Sequence, residues 1–322
     1  VTLIDEIRNP SSSMSTFLRH RLPGRQRVVD RWTRELALAA PVPAPVTLGP
    51  SDRPRLGAAF EMRVGFDLAD EAPYPDLLPM LPAEEATRIL TAAALQKIGA
   101  PSAATEGPSS WERRAGWDPG TANEQLHRDA WSLSEFAGLL RRTRQPDAQQ
   151  WQGLYRIMQE KVWPSAFRAG VADAMATLWR AYLDGGRREL VRLGTPRVAQ
   201  PVFDDAFAVG DLILGGCLVD IKVYADPTPG LPEFLDQLLG YVLSDTDDAF
   251  NIRSVAVYLG WHARLLTADL PEIGDCPSTP LLQSLAELRT DLRRILRPEL
   301  RTAHLYKHGT FTKPGLEHDT AL

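Results

Sequence analysis

Gly210–Tyr224 reads GDLILGGCLVDIKVY, an apolar ribbon that is interrupted by a Gly-Gly pair and carries two aspartates and a lysine. Adjacent glycines accept the positive φ values that a two-residue hairpin turn requires. With Gly215 and Gly216 as the turn, the pairing follows: Leu214 faces Cys217, Ile213 faces Leu218, Leu212 faces Val219, and Asp211 faces Asp220. Side chains alternate along a strand, so Asp211, Asp220 and Lys222 share one face while Val219, Ile221 and Val223 take the other. Two carboxylates opposite each other on a sheet cost stability unless a cation stands between them. Lys222 supplies part of that charge, and the oxygen pair also suits a hard divalent cation, Mg2+ or Mn2+. The plainer reading is a hairpin whose acids and lysine face water, since D-x-K alone is a short and common pattern. The register opposite Asp211 is what gives it weight.

The flanking segments extend this ribbon into a fold. In LPEFLDQLLGYVL, Phe234, Leu235, Leu238, Leu239 and Val242 form the apolar stripe of a helix, with Gln237 and Tyr241 four positions apart at its edge. IRSVAVYLGWHARLLT reads as a strand with its continuation, and RVAQPVFDDAFAV as one strand before the ribbon. The order strand, strand, helix, strand predicts an α/β fold. Upstream, Ser11–Ser13 cap a short helix in MSTFLRHRL, RQRVVDRWTRELALAA is a second helix, and the proline-rich PVPAPVTLGP is a connector. RLGAAFEMRVGFDL is a further helix, and PLLQSLAELRTDLRRIL the last. Between Glu84 and Tyr182 apolar residues recur at three- and four-residue spacing, so this region is helical. The expected organisation is an N-terminal helical arm and connector (1–50), a first core helix (51–75), a helical insertion (76–190), an α/β core (191–275), and a C-terminal helix and tail (276–322).

The 322 residues, 44% of them hydrophobic, are enough for a substantial core. Lys and Arg total 36 against 41 Asp and Glu, a net charge of -5, which excludes a uniformly basic coat for nucleic acid but leaves room for a local basic groove. Cys217 and Cys276 are the only cysteines, too few for a disulfide framework or a cysteine-rich zinc site. No charged start with a long apolar run opens the sequence, and no apolar segment is long enough to span a bilayer. The expectation is therefore a cytoplasmic protein. The six histidines make no HExxH, and neither GxSxG nor the glycine-lysine phosphate loop occurs. The expectation is therefore not an autonomous ATP-driven translocase, and an ATPase enters as a protein partner.

Asp211, Asp220-Ile221-Lys222 and Gln237-Leu238-Leu239-Gly240-Tyr241 together resemble the PD-(D/E)xK nuclease superfamily, in particular its RecB-like members with a Q-x-x-x-Y helix. The resemblance implies a restriction-endonuclease-like mixed-sheet core, here carrying a large helical insertion, and metal-dependent hydrolysis of phosphodiester bonds. An upstream helix in that superfamily often adds an acid, and LGAAFEMRV, with Gly57 before Glu61, looks like its G-x-x-x-E pattern. By this resemblance Asp211 and Asp220 ligate Mg2+ or Mn2+ and Glu61 completes or modulates the shell. Lys222 orients or helps deprotonate the attacking water and stabilises charge developing on the phosphoryl oxygens, and Gln237 and Tyr241 position the site or the nucleic-acid backbone. Two departures stand out: Gly210 replaces the proline of the superfamily's name, and Glu61 lies 150 positions before Asp211. Glu160, Glu189 and Asp204 are the alternatives to Glu61.

The implied partner is nucleic acid, DNA ahead of RNA, and defence against foreign DNA is a setting known for the superfamily. The other reading is a noncatalytic nucleic-acid-binding or complex-assembly protein that retains the fold. Candidate phosphate contacts are Arg21, Arg25, Arg27, Arg31 and Arg34, then Arg141, Arg142 and Arg144, then Arg187, Arg188, Arg192 and Arg197, and last Arg289, Arg293, Arg294, Arg297 and Arg301. Each cluster taken alone reads first as a solvated helix face. Trp111, Trp117, Trp131, Trp151, Trp163 and Trp179 read as helix-packing residues, with base stacking the lesser alternative.

Overall fold

The computed structural model describes residues 3–39, 48–70, 119–143, 167–203, 208–274 and 281–304. The helices are α1 (Leu3–Arg8), α2 (Ser13–Arg21), α3 (Arg25–Ala37), α4 (Asp52–Leu68), α5 (Pro119–Thr143), α6 (Ala169–Ala181), α7 (Arg187–Val191), α8 (Leu231–Ser244), α9 (Leu270–Gly274) and α10 (Leu281–His304). The strands are β1 (Arg197–Ala199), β2 (Val202–Phe203), β3 (Ala208–Val209), β4 (Leu212–Leu214), β5 (Cys217–Lys222), β6 (Ser254–Leu259) and β7 (Arg264–Asp269). Five of these make one mixed sheet in the order β1-β4-β5-β6-β7, and β2 and β3 form a separate two-stranded ribbon. Only β5 and β6 run parallel; β1–β4, β4–β5 and β6–β7 are antiparallel. The chain is thus α/β with a mixed sheet.

The hairpin register follows the glycine turn. Leu212, Ile213 and Leu214 pair with Val219, Leu218 and Cys217, and both turn glycines are left-handed, Gly215 at φ 57° and Gly216 at φ 83°, as a turn matching the twist of its strands demands. A parallel neighbour cannot be reached by a tight turn, so the chain leaves β5, crosses the sheet as α8 and returns as β6. Pro232 sits in the first turn of α8, where its missing N–H leaves no bond unmade.

Two other segments differ from the sequence expectation. RVAQPVFDDAFAV supplies three short strands instead of one, because Gln200 turns left-handed at φ 53° and Pro201 has no N–H to continue a ladder. IRSVAVYLGWHARLLT is a hairpin, β6 and β7, turned over Gly260–His262 with Ala263 at φ 44°. Gly260-Trp261-His262-Ala263 carries none of the Asn-Gly or Asp-Gly pairs that mark a tight hairpin, so the turn is not announced in the sequence.

Alternation along the strands divides the apolar residues between two layers. Ile213, Leu218, Val255, Val257 and Leu259 face α8, α10 and the N-terminal helices, with Trp32, Met14 and Leu235 fully buried among them. Helices α1–α3 are therefore part of this layer and not a detached arm. Val219, Ile221, Ala256 and Tyr258 face α4, α5 and α6, with Phe60, Trp131 and Tyr182. Trp131 and Trp179 are buried packing residues, as expected; Trp111, Trp117, Trp151 and Trp163 lie outside the described residues. Within the second layer Tyr182 O–H and Arg187 Nε both donate to Asp67 Oδ2, at 2.6 and 2.8 Å, and the Arg63 guanidinium lies 3.8 Å over the Trp179 ring. Burial brings Arg63 down to about 9.

A side chain at Gly215 would need left-handed backbone and would run into the Leu193 carbonyl oxygen, whereas one at Gly216 would meet only Asn251 O at 3.2 Å. Gly215→Ala is expected to destabilise the protein by about 3 kcal/mol and Gly216→Ala by about half as much. Urea unfolding midpoints of the two variants measure this, and equal losses would contradict the geometry.

Candidate functional site

Asp220 occupies β5 in register with Val257 of β6, and its side chain points into the α8 layer with only 1% of its surface exposed. An ionised carboxylate taken this far from water is costly unless paired. Lys222, two residues on and on the same face, places Nζ 2.7 Å from Asp220 Oδ2. Among the described residues no donor reaches Asp220 Oδ1.

Asp211 stands just before β4, where the ladder to β5 ends. Its Oδ2 accepts the Ile221 N–H at 2.6 Å, a bond that the next residue of a longer β4 would otherwise supply. The side chain therefore crosses to β5 beside Asp220, close enough for the two carboxyls to interact directly. The hairpin arithmetic placed these residues together; the capping of Ile221 is the local reason the pairing takes this form.

Glu61 projects from α4, half-buried. Gly57, one turn earlier, lies where α4 passes the end of β5, a Cβ there standing 3.9 Å from that of Val223, an ordinary contact. From this position the Glu61 charge reaches both Asp211 and Tyr241. The 150-residue separation is closed by the packing of α4 on the β1–β4–β5 part of the sheet. Of the alternatives, Glu189 is engaged elsewhere, accepting Leu265 N–H at 2.9 Å, and Glu160 and Asp204 lie outside the described residues.

From Lys222 a line of hydrogen bonds enters α8. Lys222 Nζ donates to Gln237 Oε1 at 3.1 Å, and Gln237 Nε2 donates to the Tyr241 hydroxyl at 2.7 Å. Gln237 is 7% exposed and Tyr241 4%, so the amide cannot exchange these partners for water without cost. Tyr241 stacks on Phe203 of β2 at 5.8 Å between centroids, with the planes 13° apart, and the Lys222 ammonium lies 5.3 Å from the Phe234 ring. Apolar rings thus hold the polar line in one geometry.

The electrostatics follow from the crowding. Burial, then the charges of Glu61 and Asp220, push Asp211 well above the usual carboxylate range. Burial also raises Asp220, against the opposing pull of Lys222. For Lys222 burial acts downward, but Asp220 and Asp211 together outweigh it, so the amine is held above its ordinary value as an ammonium.

Glu233 escaped the sequence reading. It lies on α8 four residues before Gln237 and eight before Tyr241, one line on the helix surface. Its charge reaches Asp220, and it accepts a hydrogen bond from Arg8 Nε of α1 at 2.9 Å. The i, i+4, i+8 spacing was the available signal. His262, in the β6–β7 turn, has a buried Nδ1 with no hydrogen-bond partner among the described residues, and burial lowers it.

Many of the arginines turn out to serve the fold. Arg21 pairs with Asp291, Arg25 with Asp236, Arg31 with Glu35 and Glu272, and Arg187 with Asp67. Arg289, 6% exposed, binds Asp248 at 3.0 Å and the Val242 carbonyl at 3.2 Å, pinning the α8–β6 loop to α10. Arg188, Arg192 and Arg264 are exposed.

The donor set has the chemistry of a hard-cation site: two adjacent carboxylates, one with a buried oxygen that no donor reaches, and a third acid within electrostatic range. Among the described residues, however, no group of three or more His, Cys, Asp or Glu side chains is disposed to hold a metal ion. Nor is any helix among them long and apolar enough to cross a membrane. In comparison with known proteins, the chain matches no family model, no curated protein and no solved structure.

A cation that joins Asp211 and Asp220 would remove their repulsion in the folded state alone. Mg2+ or Mn2+ at about 100 times its dissociation constant is expected to add roughly 2.7 kcal/mol of stability. Thermal melts would show this as an upward shift at pH 8 that is absent in Asp220→Ala. In chelator-treated protein Asp211 adds one contribution of definite sign. Its folded pKa lies above the unfolded one, so the native state binds the extra proton and that contribution to stability grows as pH falls from the raised folded value toward about 4. Asp211→Asn is expected to flatten that rise; an unchanged slope would contradict the shift.

Proposed function

We propose that this chain is a metal-dependent nuclease that hydrolyses phosphodiester bonds in DNA. The observation that carries the reading is the convergence of Asp211, Asp220, Lys222, Gln237 and Tyr241 on one buried line, with Glu61 brought to it from α4. The order α4, β1–β4–β5, α8, β6 supports a restriction-endonuclease-like core, with α5 and α6 contributed by the inserted helical region.

In this reading Asp211 and Asp220 would hold Mg2+ or Mn2+, with Glu61 as the third acid. A bound divalent ion supplies Lewis acidity toward a phosphoryl oxygen and lowers the pKa of water. Without a metal, the carboxylates that surround Lys222 keep it an ammonium. In that form it is suited to donate toward a phosphoryl oxygen as negative charge builds. Gln237 fixes that ammonium by accepting one of its three hydrogens, and Tyr241 fixes Gln237. The Tyr241 hydroxyl, already accepting from Gln237, keeps its own proton for an anionic oxygen.

The reading of the chain as a noncatalytic nucleic-acid-binding or assembly protein draws on one observation, that no three-ligand group forms among the described residues. Cleavage separates the two. Linear and circular DNA, single- and double-stranded, is offered with Mg2+ or Mn2+; the wild type is expected to cut at least the linear single strand, and the circular substrates separate endonuclease from exonuclease action. Asp220→Ala and Lys222→Ala should each lose at least about a thousandfold in rate, and Glu61→Gln and Gln237→Ala about ten- to a hundredfold. Cutting that persists in folded Asp220→Ala would overturn the assignment, and binding without any cutting would favour the assembly role.

A further inference from the structure

Two residues past the end of β5, Tyr224 reaches the Phe234 ring that also lies against Lys222. Its ring centroid lies 5.4 Å from that of Phe234, with the planes 40° apart. Phe234 is 4% exposed, whereas Tyr224 is 48% exposed. A buried ring therefore backs an aromatic side chain that remains open to solvent. The same Phe234 ring touches the Lys222 ammonium, at 5.3 Å, so platform and cation share one support. Arg8, held by Glu233 at 2.9 Å, stands close enough for the Tyr224 phenol to act on its charge. An exposed ring with cations beside it, two residues from the lysine of the cluster, is the combination that binds unpaired nucleotides. The ring stacks a base and the cations meet the backbone.

We propose that Tyr224 is a stacking platform for the base flanking the scissile phosphate, and that the site therefore selects unpaired over duplex DNA. This rests on the nuclease reading of the same cluster. A base inside a duplex has both faces covered by its neighbours and cannot lie on a side chain without leaving the stack. A single strand, an overhang or a frayed end offers the free face at no such cost. Tyr224 touches the substrate in this account but none of the reacting atoms, so its loss falls on substrate binding.

The test compares full-length wild type with Tyr224→Ala, Tyr224→Phe and Tyr224→Trp on 5′-labelled oligodeoxythymidine and on a blunt duplex, in Mn2+. The anisotropy of the same labelled strands is measured without metal. The expected result is that Tyr224→Ala raises KM for the single strand about 5- to 100-fold, the range for loss of one base–aromatic stack, with the loss in KM and not in kcat. Phenylalanine and tryptophan should restore binding, since each retains a ring. Equal KM for wild type and Tyr224→Ala, or blunt duplex cut as readily as single strand, overturns the platform while leaving the nuclease intact. Absence of any cutting counts against the nuclease. The anisotropy arm then still decides on Tyr224: a 5- to 100-fold weaker single-strand Kd in the alanine variant supports the platform, and an unchanged Kd refutes it.

Discussion

Asp220 is buried in an inner strand of the sheet, and the cation that answers it is Lys222, two residues along the same strand. A hydrophobic residue at this place would fill the layer as Leu218 does and would spare the fold a desolvated charge. Everything around the pair bears the mark of that cost. Gln237 is held in place by the lysine and the tyrosine, Tyr241 by Phe203, and the apolar side of α8 is committed to keeping the three aligned. Asp211 then adds a second carboxylate where a plain strand residue would have continued the ladder. Sheets built for stability do not place two acids together and surround them with apolar rings. A site that needs negative charge concentrated at one point does.

The layered architecture explains how residues so far apart in sequence reach that point. β5 presents its odd residues to α4 and its even ones to α8, so one strand serves two layers at once. The parallel return to β6 requires a crossover helix, and that helix is α8, whose edge carries Glu233, Gln237 and Tyr241. α4 meets the sheet from the other side, near enough at Gly57 for Glu61 to act across the end of β5. The N-terminal helices pack behind α8, where Arg25 pairs with Asp236 and Arg8 with Glu233. They thereby stabilise the helix that orders the lysine.

How much of this was legible in the sequence depends on the range of the interaction. Gly215-Gly216 sets the β4–β5 register because a tight turn leaves no freedom in pairing, and the placement of Asp211 and Asp220 follows from it. Gln237 and Tyr241 were readable from helical spacing. Glu61 was not, since nothing local ties residue 61 to residue 211; only its resemblance to a known pattern singled it out. The β6–β7 turn was hidden because Gly260–Ala263 lacks the Asn-Gly or Asp-Gly signature of a tight hairpin and holds a tryptophan, so the strand and its continuation read as one segment. Glu233 was visible in principle, at the same four-residue step as its neighbours. The arginine clusters show the opposite failure: residues that read as a surface for phosphate, such as Arg289, are in part buried braces of the fold, which no count of charges could reveal.

The central claim is that the Asp211–Asp220 pair is kept for a divalent cation. Anomalous scattering from crystals soaked in Mn2+, recorded beside Asp220→Asn crystals treated identically, tests it most directly. The account predicts a peak within ligand distance of both carboxylates, about 2 Å from their oxygens, on the side facing Glu61, and none in the variant. Crystals with no Mn2+ at the pair, the two carboxyls instead sharing a proton, would contradict it.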